Sequence, residues 1–352
     1  MSFEPDYRNI VDVANNKRPK RLPVYEHIID PKIMEKILGS SFAELLAGNK
    51  TDLKQFFTQF CRFFKEMTYD AVSFEACIVE ILPAKCAAIR GQVPGPIQNR
   101  ADFQACQWGD IVEQYKKMAD RQFEMLAKCI PDGMKAIGGV GNGVFEISED
   151  LVGLEYLAYM QADDPQLFAD LYCKIGDLMV EIWSWFLKKH ANCFAVCRFG
   201  DDLGYKSGTL VSPKTIRTHI IPQYRRVIKL IHDAGFPFLM HSCGNIFDVM
   251  DDIIDAGINA KHSNEDVIAP FDKWVKLYGN RIGFFGGIDV DLLCRSNSND
   301  VYNYVLELGQ RFRNTAKGYA LGSGNSIPDY VPVEGYLAMI RAAKEIRRRE
   351  QA

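Results

Sequence analysis

The chain has 352 residues, 47% of them hydrophobic, and a formal net charge of −3. That is enough apolar sequence for a large core, and the near-balanced charge implies no basic face for nucleic acid. The polar, charged start Met1–Pro19 lacks the apolar core of a signal peptide, no run approaches the ~20 apolar residues of a membrane span, and ten cysteines lie without disulfide-scaffold spacing. A cytoplasmic chain with reduced thiols is the expectation. Short apolar or β-branched runs are predicted as strands, in chain order: Leu22–Ile28, Ala71–Glu75, Met134–Gly138, Phe194–Phe199, Pro237–Met240, Ala260–Ser263, Ile282–Gly286 and Tyr319–Leu321. Helical patterns fall between them: Thr51–Met67, Asp110–Ile130, Asp163–His190, Ser212–Ala234, Asn245–Ala256, Ser298–Ala316 and Val333–Arg349. Asp-Pro and Ser-Pro open the third and fourth of these; Gly235 and Gly257 close the fourth and fifth.

Strands alternating with helices call for a parallel sheet, because each parallel pair needs a crossover. Eight such units, with no glycine-rich dinucleotide loop after the first, favour a single α/β domain over residues 1–352. The expected fold is a (β/α)8 TIM barrel with an N-terminal helical extension. Gly138, Gly139, Gly141 and Gly143 lie near a strand end. Val140–Glu146 does not read as the start of a phosphate-binding helix.

A barrel gathers its chemistry at the C-terminal ends of its strands. The residues expected there are Glu26 and His27, Glu75, Asn142 and Glu146, Asp201 and Asp202, His241 and Cys243, Ser263 to Glu265, Asp289, and Ser323 with Asn325. The sharpest pattern is His241-Ser242-Cys243-Gly244. Residues two apart on an extended segment point the same way, so imidazole and thiolate can reach one zinc ion. Gly244 removes a side chain where the backbone must turn. Glu265, after the next strand, is the expected third metal ligand, with an N-cap or ion-pair role as its alternative. Glu146, water or substrate could hold the fourth position. Asp201, Asp202 and Glu75 are candidate catalytic groups, and the two aspartates could equally cap a local turn. His27, Asn142, Tyr205, Ser323 and Asn325 are candidate substrate contacts. His262, Cys193 and Cys197 read as structural.

With these residues in view, the chain resembles the uroporphyrinogen decarboxylase superfamily along nearly its whole length. The matching segments are RLPVYE, GVFEISEDLVGLEYLAYMQADDPQLF, GDDLGYKSGTLVSPKTIRTHIIPQYRRVIKLIHDAGFPFLMHSCGNI, GGIDVDLL and GYALGSGNSIPDYVPVEGY. The start, KRPKRLPVYEHIID, lacks the arginine pattern of the haem-pathway decarboxylases. VSFEAC places Glu75 where they carry an aspartate context. HSCG is similar to the zinc-binding pair of the corrinoid-dependent methyltransferase branch. Glu265 matches the spacing of the zinc-binding glutamate in the similar cobalamin-independent methionine synthase barrel. A late cysteine of the methyltransferase branch is missing, with Ser323 or a neighbour in its place.

This resemblance implies a zinc methyltransferase that moves a methyl group between a small methylated substrate or thiol acceptor and the cobalt of a corrinoid protein. No DxHxxG element is present, so the corrinoid is expected on a separate partner; a homodimer is compatible with this reading. The neutral sum of Zn²⁺ with His241, Cys243 and Glu265 favours a methylated oxygen or nitrogen substrate over a thiol. A metal-free carboxy-lyase and a non-catalytic corrinoid-protein partner are the alternatives.

Overall fold

The computed structural model describes residues 3–83 and 93–351. Seven parallel strands form one curled sheet in strict chain order: β1 (Val72–Cys77), β2 (Ala136–Gly141), β3 (Phe194–Gly200), β4 (Phe238–His241), β5 (Ala260–His262), β6 (Gly283–Ile288) and β7 (Tyr319–Ser323). Each coincides with a predicted run. The first predicted strand, Leu22–Ile28, is the exception. It makes isolated bridges, Val24 to Leu321 and, one residue beyond, Ile29 to Ile327, in place of a ladder. Tyr25 N donates to Leu321 O, while Ser73 Oγ on β1 donates to His27 O. The segment therefore lies between the two edge strands. Pro23 lacks the N–H that a regular ladder would use here.

Helices cover the outside of the sheet and bury one continuous apolar core against it. Residues Lys50–Glu66, Trp108–Cys129, Pro165–Lys189, Ser298–Thr315 and Val333–Glu350 are helical, close to the predicted spans. Asp164 caps its helix by accepting from Leu167 N at 2.8 Å, ahead of Pro165 in the first turn. The helix that opens at Pro213 passes through a π-helical stretch, Ile216–Ile220, before Pro222, whose missing N–H disrupts the regular ladder. The N-terminal extension forms helix Arg8–Ala14. Its Ile10, Val13 and Ala14 pack on Ile137, Val196, Leu239 and Phe285 in a second apolar cluster.

The glycines of β2 serve packing. A Cβ on Gly138 would stand 2.0 Å from Phe74 O, so only glycine lets these strands pair. A helix begins beyond β2, at Val144. Two amides of its first turn are taken by the Asp201 carboxylate, from Phe145 N at 3.0 Å and Glu146 N at 2.8 Å. No helix among the described residues is long and apolar enough to cross a membrane.

Candidate metal and substrate site

The loops after β3 and β4 are sewn together. Cys243 N donates to Asp202 Oδ1 at 2.8 Å, Leu203 N to Ser242 Oγ at 3.4 Å, and Asn245 N to Tyr205 O at 2.8 Å. Gly244 turns with φ +81°, and a Cβ there would stand 2.1 Å from the backbone of Gly204. Backbone-to-backbone contact at this point carries Asp202 to the His-Ser-Cys segment.

The result is a cluster of donors. One ligand atom each from Asp202, His241 and Cys243 lie within 4.8 Å of one another. His241 Nε2 is 3.3 Å from Cys243 Sγ and 3.6 Å from Asp202 Oδ1. Ligands around one tetrahedral zinc ion, with bonds of roughly 2.0–2.3 Å, stand roughly 3.3–3.6 Å apart. The chemistry of the set agrees with the spacing. Burial, and then Asp202, hold the Cys243 thiol well above its ordinary range. Burial also raises Asp202. A cation reverses both effects by favouring the anionic donors.

Glu265 lies outside this cluster, half-buried, yet near enough for its charge to act on both Cys243 and Asp202. Burial and the charges of Asp289 and Asp202 raise its carboxyl. It lines a cavity of about 310 Å³ with Lys206, Asp289, Asp291, Asn325 and Tyr330. The cavity adjoins the donor cluster through Asn325, whose Nδ2 donates to Cys243 Sγ at 3.4 Å; Ser263 Oγ approaches the same sulfur at 3.4 Å. The neighbour of Cys243 from the β7 end is therefore Asn325. Ser323 instead donates from Oγ to Asn325 O at 2.9 Å and packs on Glu26.

Glu26 is wholly buried and was not singled out from sequence as a site residue. Burial pushes its carboxyl up to about 8. The hydrogen bonds agree with a neutral group. Ser323 Oγ contacts both a Glu26 oxygen and the Asn325 carbonyl, and a hydroxyl has one proton. With that proton on Asn325 O, Glu26 supplies the other.

The remaining candidates divide into buried supports and rim groups. Asp201 is fully buried; it caps helix Val144–Val152 and also accepts from Tyr224 OH at 2.5 Å. Burial raises it to about 7. Glu146 stands behind Asp202, accepting from Asp202 N at 3.2 Å and from Asn142 Nδ2 at 2.7 Å; burial, Asp202 and Asp201 push it well up. Asn142 is thus spent on Glu146 and, through Oδ1, on Val79 N. Glu75 is locked by Arg198, which donates to it at 3.0 and 2.8 Å and also to Tyr25 OH and Ser73 Oγ, each at 2.8 Å. Burial opposes the Arg198 charge, but Glu75 and Tyr25 outweigh it and hold the guanidinium protonated. His27 stacks on His241, centroids 3.8 Å apart and planes at 11°, with Nε2 3.7 Å from Glu75. Tyr205 lies at the rim, 61% exposed.

Sequence reading missed Arg198 as a support, and read His262 as structural without seeing its partner. In the structure His262 Nδ1 is 2.7 Å from His241 Nδ1, and its Nε2 is 3.0 Å from Ser323 O. The signal was register: His241 and His262 are paired positions on β4 and β5, so their side chains share a face. Burial holds both rings in the neutral form, His262 down to about 3.

Fold and site together define an α/β protein whose chemistry-bearing groups gather beyond the carboxyl ends of parallel strands. The chain belongs to the uroporphyrinogen decarboxylase (URO-D) family, whose model matches residues 7–346. A methylated-thiol–coenzyme M methyltransferase of Methanosarcina mazei is 28% identical over 218 residues, 61% of this chain and 54% of that protein. The chain thus matches about half the length of this relative. A solved methyltransferase from Methanosarcina mazei superposes with a TM-score of 0.74 at 15% identity, covering 97% of this chain and 99% of the other. At that identity the likeness speaks for the fold.

Proposed function

We propose that this protein is a zinc-dependent methyltransferase that moves a methyl group between a small substrate and the cobalt of a separate corrinoid protein. The observation that carries this reading is the convergence of Asp202, His241 and Cys243 beside a polar cavity. The methyltransferase relative supports the reaction class, and its name points to a methylated thiol as the substrate to test first. The donor charges with Asp202 in place still sum to zero, so methylated oxygen and nitrogen compounds stay in the panel.

His241 and Cys243 would hold the metal, with Asp202 as third donor by distance and Glu265 turned to the cavity. Zinc bound there supplies Lewis acidity, favouring negative charge on the sulfur, oxygen or nitrogen that carries the methyl group. In the demethylating direction the bond from that atom to carbon breaks, its electron pair stays on the atom, and the incoming cobalt supplies the pair for the new bond. The chain's own groups position the substrate. Glu265, Asn325, Lys206 and the rim residue Tyr205 face it, while Asp201, Glu75, His27, Asn142 and Ser323 brace the residues behind. Three carboxylates against one lysine in the cavity disfavour a polycarboxylate substrate, and with it the carboxy-lyase alternative.

The test is zinc content and methyl transfer on the same preparations. Wild type is expected to bind one Zn²⁺ per chain and to convert free cob(I)alamin to its methylated form with a methylated thiol, amine or methoxy compound. Cys243→Ser is expected to lose both. Full transfer by metal-free protein would sink the reading.

A further inference from the structure

We propose that His262 is a positioning residue which fixes the tautomer of His241 and so turns the His241 Nε2 lone pair toward Asp202 and Cys243. The inference rests on the metal reading above and adds to it a residue that touches neither metal nor substrate.

The derivation uses donor and acceptor roles alone. Ser323 O is a carbonyl and can only accept, so His262 Nε2, 3.0 Å away, carries a proton. The His262 ring is buried, and its two nitrogens meet that carbonyl and the His241 ring, with no carboxylate bonded to either to balance a second proton. Its Nδ1 therefore presents a lone pair. Across the 2.7 Å gap, His241 Nδ1 must then be the donor. A neutral imidazole has one N–H, so His241 Nε2 is left as an acceptor, 3.3 Å from Cys243 Sγ and 3.6 Å from Asp202 Oδ1. A backbone carbonyl at the end of β7 thus sets the proton position on β4 through one ring on β5.

The same geometry rules out a three-histidine metal site. His27, His241 and His262 each offer a nitrogen within 4.8 Å of the others. The His27 and His241 rings are stacked 3.8 Å apart and nearly parallel, so their in-plane lone pairs do not converge on one ion. The close Nδ1 pair is a hydrogen bond. The ring pair behind the donor cluster is an orienting device of the kind that metal-binding histidines use.

Two variants separate orientation from packing. His262→Leu fills the space but offers no acceptor; His262→Asn places a carbonyl oxygen near the Nδ1 position. Zn²⁺ affinity is measured by competition with a chromophoric chelator on folded full-length protein, with thermal melting as the control. His262→Leu is expected to bind Zn²⁺ about 10- to 100-fold more weakly, and His262→Asn to recover most of that loss. Selective ¹⁵N-histidine NMR of metal-free wild type, with His241→Asn for assignment, is expected to show His241 protonated at Nδ1. Wild-type affinity in a folded His262→Leu protein, or a proton on His241 Nε2, overturns the inference. Wild type that takes up no Zn²⁺ sinks the metal reading instead, and the His241 tautomer then decides this inference by itself.

Discussion

Asp202 and Cys243 are joined by a 2.8 Å hydrogen bond from the cysteine amide to the aspartate Oδ1, across two consecutive loops. The bond holds the carboxylate beside the imidazole and thiol it would share an ion with. Asp202→Ala is therefore expected to weaken Zn²⁺ binding by about tenfold or more. Glu265→Ala, outside the donor cluster, is expected to leave Zn²⁺ affinity within about threefold and to change substrate KM instead. Chelator competition on both variants checks this; the reverse ranking would return the third-donor role to Glu265.

Arg198 and Glu75 form a buried pair whose members also satisfy Tyr25 and Ser73. Arg198→Met strands an anionic carboxylate in the interior and is expected to cost about 3–5 kcal/mol. Replacing both, as Arg198→Met with Glu75→Leu, is expected to restore a large part of that. Urea unfolding at pH 7 measures the cycle. A loss below about 1 kcal/mol for Arg198→Met would mean that the interior does not depend on this pair.

The buried Glu26 gives stability a pH dependence of definite sign. Its pKa rises from about 4.5 unfolded to about 8 folded, so above pH 4.5 the unfolded chain releases a proton that the folded chain retains. The native state binds more protons, and stability falls as pH rises between those values. The slope from this group is at most about 1.4 kcal/mol per pH unit. Glu26→Gln can keep the contacts to Ser323 and carries no titrating proton. The stability difference, wild type minus Glu26→Gln, is expected to decline from pH 5 to pH 8 in urea titrations; a constant difference would show Glu26 ionised throughout.

Gly244→Ala is expected to disrupt the site without touching a donor atom. The new methyl group would meet the Gly204 backbone at 2.1 Å, at a φ of +81° that alanine rarely adopts. The loops after β3 and β4 must then separate, and Asp202 moves away from Cys243. Substantial loss of Zn²⁺ affinity is expected, together with a lowered melting temperature. Unchanged affinity would show that the loop contact is dispensable.

Much of this molecule was legible in its alternation of apolar runs and amphipathic helices. Seven predicted strands appear in order, and HSCG lies at the end of the strand expected to carry it. Leu22–Ile28 looked like an eighth because apolarity reports burial, whereas a ladder also needs a run of free amides. Glu265 was expected beside Cys243 because strand neighbours were assumed to deliver their loops equally. The loop after β5 instead leads Glu265 to the cavity wall.

The sequence by itself determined the parallel α/β order and the placing of His241 and Cys243 on one strand end, because both follow from local periodicity and side-chain alternation. Only tertiary structure decided that Asp202 completes the donor cluster, that Asn325 stands at the sulfur, and that His262 meets His241 through their Nδ1 atoms. Those relations join residues 21 to 82 positions apart through loop contact and strand register. They depend on distances between loops and on which ring nitrogen faces which acceptor, and no pattern along one chain encodes either.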